Sequence, residues 1–253
     1  MSKRSNRTAG TQRVRGNASA PKSPPIPEEL LARSALPMAG VENDVLHLED
    51  LESTLIGAGR AGSMIALVLL MLGVRVRAYD GDRLGPENQG LQLYRKDDIQ
   101  AGRLKVEALG SLLRELVPGG RFQPHAEFYE ARGEQRRSPI VVLAVDRMDT
   151  RARLWEALKT MPGVERVLDV RLGRGLVRLH EVSPRDPDAV AAYESSLYDD
   201  ETAAADDCSD AGTTHAAAAA AALIGGALRA YVEDLPRPRW IGFDLDRALW
   251  ASG

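Results

Sequence analysis

One cysteine, Cys208, stands in a chain of 253 residues. A single thiol forms no disulfide within the chain, and no zinc site of the paired Cys-x-x-Cys kind can be assembled from it. A reducing, cytoplasmic setting is therefore expected. Aromatic residues are also scarce, at 5%, while hydrophobic residues of all kinds reach 44%. The core must then be aliphatic, large enough for one α/β domain with appendages and too small for a second full-sized domain. The apolar run Met64 to Leu72 is too short to cross a bilayer, and no membrane partner is expected.

Two segments lack charge of one sign. Residues 1–27 carry Lys3, Arg4, Arg7, Arg13, Arg15 and Lys22 and no acid, so the formal total of -3 leaves about -9 for the remainder. With Ser23-Pro24-Pro25-Ile26-Pro27 at its end, this stretch cannot bury enough apolar area to offset its ordering entropy, and a disordered basic tail is expected. No aromatic residue interleaves the cations, so a solubilising arm is favoured over a nucleic-acid contact. Conversely, residues 186–210 hold nine acids and no Lys or Arg, which predicts a long, exposed, acidic loop within a crossover of about residues 184–210. Residues 28–253 form the expected single domain.

Against these absences stands Leu55-Ile56-Gly57-Ala58-Gly59-Arg60-Ala61-Gly62, followed by an apolar run that ends at Tyr79-Asp80-Gly81-Asp82. Gly57, Gly59 and Gly62 permit a tight turn, close approach of backbone to phosphate oxygens, and close packing of helix on strand. Asp80, 23 residues beyond Gly57, suits a ribose hydroxyl. The pattern predicts strands at Ser53–Ile56, Arg75–Tyr79 and Pro139–Val145, and helices at Ala61–Leu72, Leu104–Val117 and Asp149–Met161. Short lead-in segments are expected at Glu28–Arg33 and Glu42–Leu48. A late strand pair, Arg166–Arg171 and Leu176–Val182, would make the mostly parallel sheet a mixed one. Ala216 to Ala222 are seven consecutive alanines continuing to Val232, which predicts a helix with a smooth packing face. The fold class is a Rossmann-like α/β nucleotide-binding domain with helices flanking the sheet.

The residues after Asp80 are more specific. Asp80-Gly-Asp82, then Asn88-Gln-Gly-Leu91-Gln92, then Gly102-Arg-Leu-Lys105-Val resembles the ThiF/MoeB/ubiquitin-activating-enzyme superfamily. In that family Asp-x-Asp ends the strand, Ser-Asn-Leu-x-Arg-Gln follows, and Gly-x-x-Lys opens a helix. The resemblance continues in Asp146, five residues before Arg151, in the β-rich Leu168 to Val177, and in Cys208-Ser-Asp-Ala-Gly212. It covers about residues 51–235, with its pieces in the family order.

The resemblance implies adenylation: a carboxylate at the Gly-Gly end of a ubiquitin-like or sulfur-carrier protein attacks the α-phosphate of ATP. On that reading Gly57, Gly59 and Gly62 hold phosphates, Asp80 and Asp82 face the ribose side, and Asn88 and Gln92 position the nucleotide. Lys105 neutralises phosphoryl charge, and Asp146 holds Mg²⁺. Cys208 is either a nucleophile that takes over the activated carboxylate or a packed thiol, since Asp206, Asp207 and Asp210 oppose a thiolate. A homodimer with a shared ATP site is also implied.

Leu91 occupies the position of the family arginine. Arg60, Arg95 or an arginine of a second subunit must then supply that charge, with Arg147 as a further source. Leu91 also motivates an alternative, a nucleotide- or partner-binding module without turnover. A third reading, an NAD-dependent oxidoreductase, uses the glycine turn and Asp80 but assigns no work to Asn88, Lys105 and Asp146.

Overall fold

The computed structural model describes residues 48–130, 138–198 and 214–253. The basic tail, the lead-in segments before Leu48, and Cys208 lie outside the described residues. The central element is β1 (Glu52–Ile56), flanked by β2 (Arg75–Tyr79) and β4 (Ile140–Leu143), both parallel to it. β3 (Phe122–His125) and β5 (Arg166–Leu172) extend the parallel region outward on each side. Beyond β5 the strands β6 (Leu176–Val182), β7 (Trp240–Asp244) and β8 (Leu249–Ser252) run antiparallel. The order is β3-β2-β1-β4-β5-β6-β7-β8.

Strand alternation divides the interior into two cores. Leu55, Ile140, Val142, Leu168 and Val170 point to one face, and Ile56, Val141, Leu143 and Val167 to the other. The first face is covered by α1 (Arg60–Met71), α3 (Lys105–Leu116) and α6 (Thr214–Val232). The second is covered by α4 (Met148–Leu158) and α5 (Pro187–Glu194). Strands apolar on both faces belong to a parallel sheet enclosed by helices.

The alanines of α6 bury one stripe, Ala216, Ala217, Ala220, Ala221 and Ile224, at the spacing of a helix face. That stripe permits close contact with α1: a Cβ at Gly225 would approach Leu72 Cδ1 at 3.2 Å and Val68 Cγ1 at 3.3 Å. Among the described residues α6 is long and apolar enough to cross a membrane by length and composition, yet half of that stretch is buried inside the domain.

Three features depart from the sequence reading. Residues 187–194 of the expected acidic loop form α5, because Asp186 caps it, accepting from Asp188 N at 3.0 Å and Ala189 N at 3.2 Å, and Pro187 occupies the first turn. A short helix, α2 (Lys96–Gln100), precedes α3. The strands β3, β7 and β8 were not anticipated, since β3 contains Pro124, a residue confined to sheet edges.

Candidate active site

A cavity of about 630 Å³ opens at the carboxyl ends of β2, β1, β4 and β5. This is where the strand order reverses around β1, the usual ligand crevice of an open α/β sheet. Gly57, Gly59, Asp80, Asp82, Gln92, Lys105 and Asp146 all line it.

The glycines have unequal roles. Gly57 has φ +96°, and a Cβ there would lie 2.6 Å from Ala144 O. At Gly62 a Cβ would lie 1.9 Å from Gly57 O, so this glycine lets α1 press against the turn. A Cβ at Gly59 would meet nothing within 4 Å. The fold requires glycine at 57 and 62, whereas at 59 only an occupant of the cavity would benefit from the missing side chain. Gly59 caps α1 without a side-chain hydrogen bond, and Gly59, Arg60 and Ala61 bring this helix N-terminus to the cavity wall.

Asp80 is buried and holds the turn in shape. Its Oδ2 accepts Ala58 N–H at 2.7 Å and its Oδ1 accepts Asp82 N–H at 2.8 Å. Each oxygen retains a lone pair for a ligand hydroxyl. Burial raises its pKa, opposed by the two backbone donors and by Lys105. Lys105 Nζ lies 2.9 Å from Asp82 Oδ2 at the mouth of α3, and its own N–H is accepted by Asp82 O. The Tyr94 hydroxyl donates to Ala58 O, tying the segment after β2 to the glycine turn.

The buried Gln92 Oε1 has no hydrogen-bond partner among the described residues. Asp146 is exposed on the cavity wall, and its carboxylate makes no hydrogen bond or ion pair among the described residues. A carboxylate of this kind beside the glycine turn fits Mg²⁺, which is commonly held by one or two carboxylates together with substrate phosphates.

Among the described residues three sequence-derived candidates do not line the cavity: Gly62, which packs α1 on the turn, Asn88 and Arg95. Asn88 is buried, but its Oδ1 accepts Gly85 N–H at 2.8 Å, closing a turn of 3-10 helix at Pro86–Asn88. Arg95 is drawn away by Glu115 at 2.5 Å and Asp98 at 3.7 Å. Arg60 and Arg147 do line the cavity, so positive charge is present without an arginine at Leu91.

Sequence reading missed a cationic and aromatic half of the same cavity. Tyr79, Phe128 and Tyr129 line the β2 side, with Tyr129 packed edge-on against Tyr79 at 5.0 Å and His125 stacked on Tyr79 at 4.3 Å. On the β5 side stand Arg153, Arg171, Arg174 and Tyr198. Beneath them, Asp169 is fully buried and accepts from Arg151 Nε at 2.5 Å, Arg171 Nε at 2.8 Å and Tyr193 Oη at 3.1 Å. Arg171 in turn donates to Ser196 O at 2.7 Å and Ser196 Oγ at 3.0 Å. The available signal was Arg171-Leu-Gly-Arg174, a cationic turn at the carboxyl end of a strand beside the crevice.

A sequence model described as the ThiF family matches residues 31–224. The chain belongs to the ThiF family. Solved structures with the ThiF fold agree: PaaA, as its selenomethionine form, is 16% identical with a TM-score of 0.61, the match covering 81% of this chain and 73% of PaaA. MccB of E. coli is 15% identical with a TM-score of 0.62, covering 81% of this chain and 62% of MccB. MccB in its structure with ATP is 15% identical with a TM-score of 0.60, covering 81% and 64%. This chain therefore spans less than two thirds of MccB. At these identities the likeness to the solved structures is one of fold. No curated protein matches the chain by sequence.

Proposed function

We propose that the protein is an ATP-dependent adenylyltransferase acting on a carboxylate of a peptide or protein. The observation that carries this reading is the convergence of the Gly57–Gly62 turn, Lys105 and Asp146 on one crevice at the strand reversal. ThiF family membership supports it. MccB has been solved with ATP and, as a microcin C7 biosynthetic enzyme, with N-formylated MccA, which supports ATP and a peptide or protein as the pair of substrates. The finer version implied by the sequence resemblance is a ubiquitin-like or sulfur-carrier protein ending in Gly-Gly.

In the reaction a carboxylate oxygen of the donor bonds to the α-phosphorus, the bond to the bridging oxygen breaks, and pyrophosphate leaves with its electrons. The uncapped first turn of α1 accepts phosphate oxygens through backbone N–H groups. Asp80 accepts ribose hydroxyls, and its hold on Ala58 fixes the turn before the nucleotide arrives. Lys105, released from or shared with Asp82, balances charge that builds on the phosphoryl oxygens. Mg²⁺ held at Asp146 would supply further neutralisation of the phosphates. A homodimer lending charge across its interface, as the resemblance implies, would compensate for Leu91.

ATP–pyrophosphate exchange with candidate carriers and short peptides tests the reading. Exchange in the wild type that disappears in Lys105→Ala and Asp146→Ala supports it. Tight nucleotide binding without exchange under any donor leaves the binding-module reading that Leu91 motivates. Transfer to Cys208 predicts a thiol-sensitive adduct absent from Cys208→Ala.

A further inference from the structure

Among the described residues three helices begin at the cavity; α3 does so at Lys105, whose backbone N–H is taken by Asp82 O, which leaves two N-termini facing it. One is α1, at the glycine turn. The other is α4, whose N-cap residue Arg147 makes no side-chain capping bond and whose first-turn residues Met148 and Thr150 also line the wall. Along the carboxyl edge of the sheet the lining residues fall in a definite order. Asp80, Asp82 and Lys105 lie on the β2 side, the glycine turn at β1, Asp146 after β4, and then Arg153, Arg171 and Arg174 around α4 and β5.

Beyond Asp146 the described lining residues include no acid. Arg171 is committed to Asp169 and Ser196, so it contributes field rather than donors. Arg153 is exposed and makes no hydrogen bond or ion pair among the described residues, and Arg174, which has a partner of its own, keeps its side chain exposed on the hairpin between β5 and β6. The entrance is flanked by Phe128 and Tyr198, exposed by 68% and 49%.

We propose that the carboxyl donor carries an acidic side chain next to its reacting carboxylate, bound by Arg153, Arg174 and the N-terminus of α4. This deepens the adenylation reading and rests on it. One anion, the nucleotide phosphate, belongs at α1. The second helix end with its arginines takes the donor's acid, because charge-assisted bonds to a carboxylate are short and strong in a partly enclosed site. The binding is ionic, so it weakens as salt shortens the screening length.

The test uses the full chain and short, otherwise neutral fluorescent peptides ending in Glu, Gln or Gly, bound in the presence of a non-hydrolysable ATP analogue. Affinity for the analogue is measured separately. The Glu peptide is expected to bind at least about 10-fold more tightly than the Gln peptide. In the double variant Arg153→Ala, Arg174→Ala, that preference drops below about 3-fold while analogue affinity changes by less than about 3-fold. Both side chains are exposed, so the variant retains the fold, and its melting curve verifies this. If the wild type fails to bind the analogue, the adenylation reading falls and this proposal with it. If the analogue binds but the three peptides bind alike, or none binds, the proposal alone is overturned. It is equally overturned if the variant loses the analogue rather than the Glu preference, because the arginines then serve phosphate.

Discussion

Arg151 Nε lies 2.5 Å from Asp169 Oδ1, and both side chains are buried. The pair joins α4 to β5 directly beneath the cavity; Arg151 Nη2 donates to Val145 O at 2.6 Å and Val170 O at 3.1 Å, and Nη1 faces Met148 Sδ at 3.9 Å. Removing one partner strands the other charge. Asp169→Ala should therefore destabilise the protein by about 3–5 kcal/mol in denaturant unfolding. A loss below about 1 kcal/mol would show that solvent reaches this site and relieves the stranded arginines.

Lys105 and Asp82 make the opposite case. The side chain of Asp82 is 54% exposed, so the 2.9 Å pair adds little to stability. Lys105→Ala should shift unfolding by less than about 1 kcal/mol yet lower ATP–pyrophosphate exchange by about 10²-fold or more. Retained exchange would remove Lys105 from the phosphate site.

The three glycines should separate by phenotype. Gly57→Ala and Gly62→Ala are expected to lower thermal stability by about 1–3 kcal/mol or more, because one requires positive φ and both would drive a Cβ into backbone. Gly59→Ala should cost under about 1 kcal/mol, with its main effect on nucleotide affinity. Unchanged affinity in Gly59→Ala would mean that no phosphate approaches that backbone.

His180 gives the protein an acid limit. It is buried on β6 beside Tyr193, with ring centroids 5.7 Å apart, and its Nε2 has no hydrogen-bond partner among the described residues. Burial, aided by the nearby Arg171, lowers its pKa from 6.5 to about 4. A depressed imidazole pKa contributes stability above its unfolded value of 6.5, and that contribution is lost as pH falls toward about 4. Melting temperatures should decline across that window, and His180→Phe should flatten the decline. An unchanged slope in His180→Phe would assign the acid sensitivity to other groups.

The sequence made the glycine-turn half of the cavity legible because its determinants are local. A glycine spacing, an acid at a strand end and a lysine at a helix start are each fixed by a few neighbouring residues. The predicted strand Arg75–Tyr79 coincides with β2, and Leu104–Val117 contains α3 within a residue at each end. The Asp186-Pro187 helix start was equally local, but the run of acids around it read as a loop.

Tertiary structure alone decided which candidates share a space. Asn88 matches the family spacing yet spends its side chain on Gly85, while Arg153, Arg171 and Arg174 reach the cavity from α4, from β5 and from the turn after β5. Asp169 draws Arg151, Arg171 and Tyr193 from three elements into one buried carboxylate. The sequence by itself determined a glycine-turn α/β domain and most of the residues on the β1 and β2 side of its cavity. The second, cationic half of the cavity emerged only from the packing of α4 against the end of β5, because charge brought together over long sequence separations leaves no periodic signal in the chain.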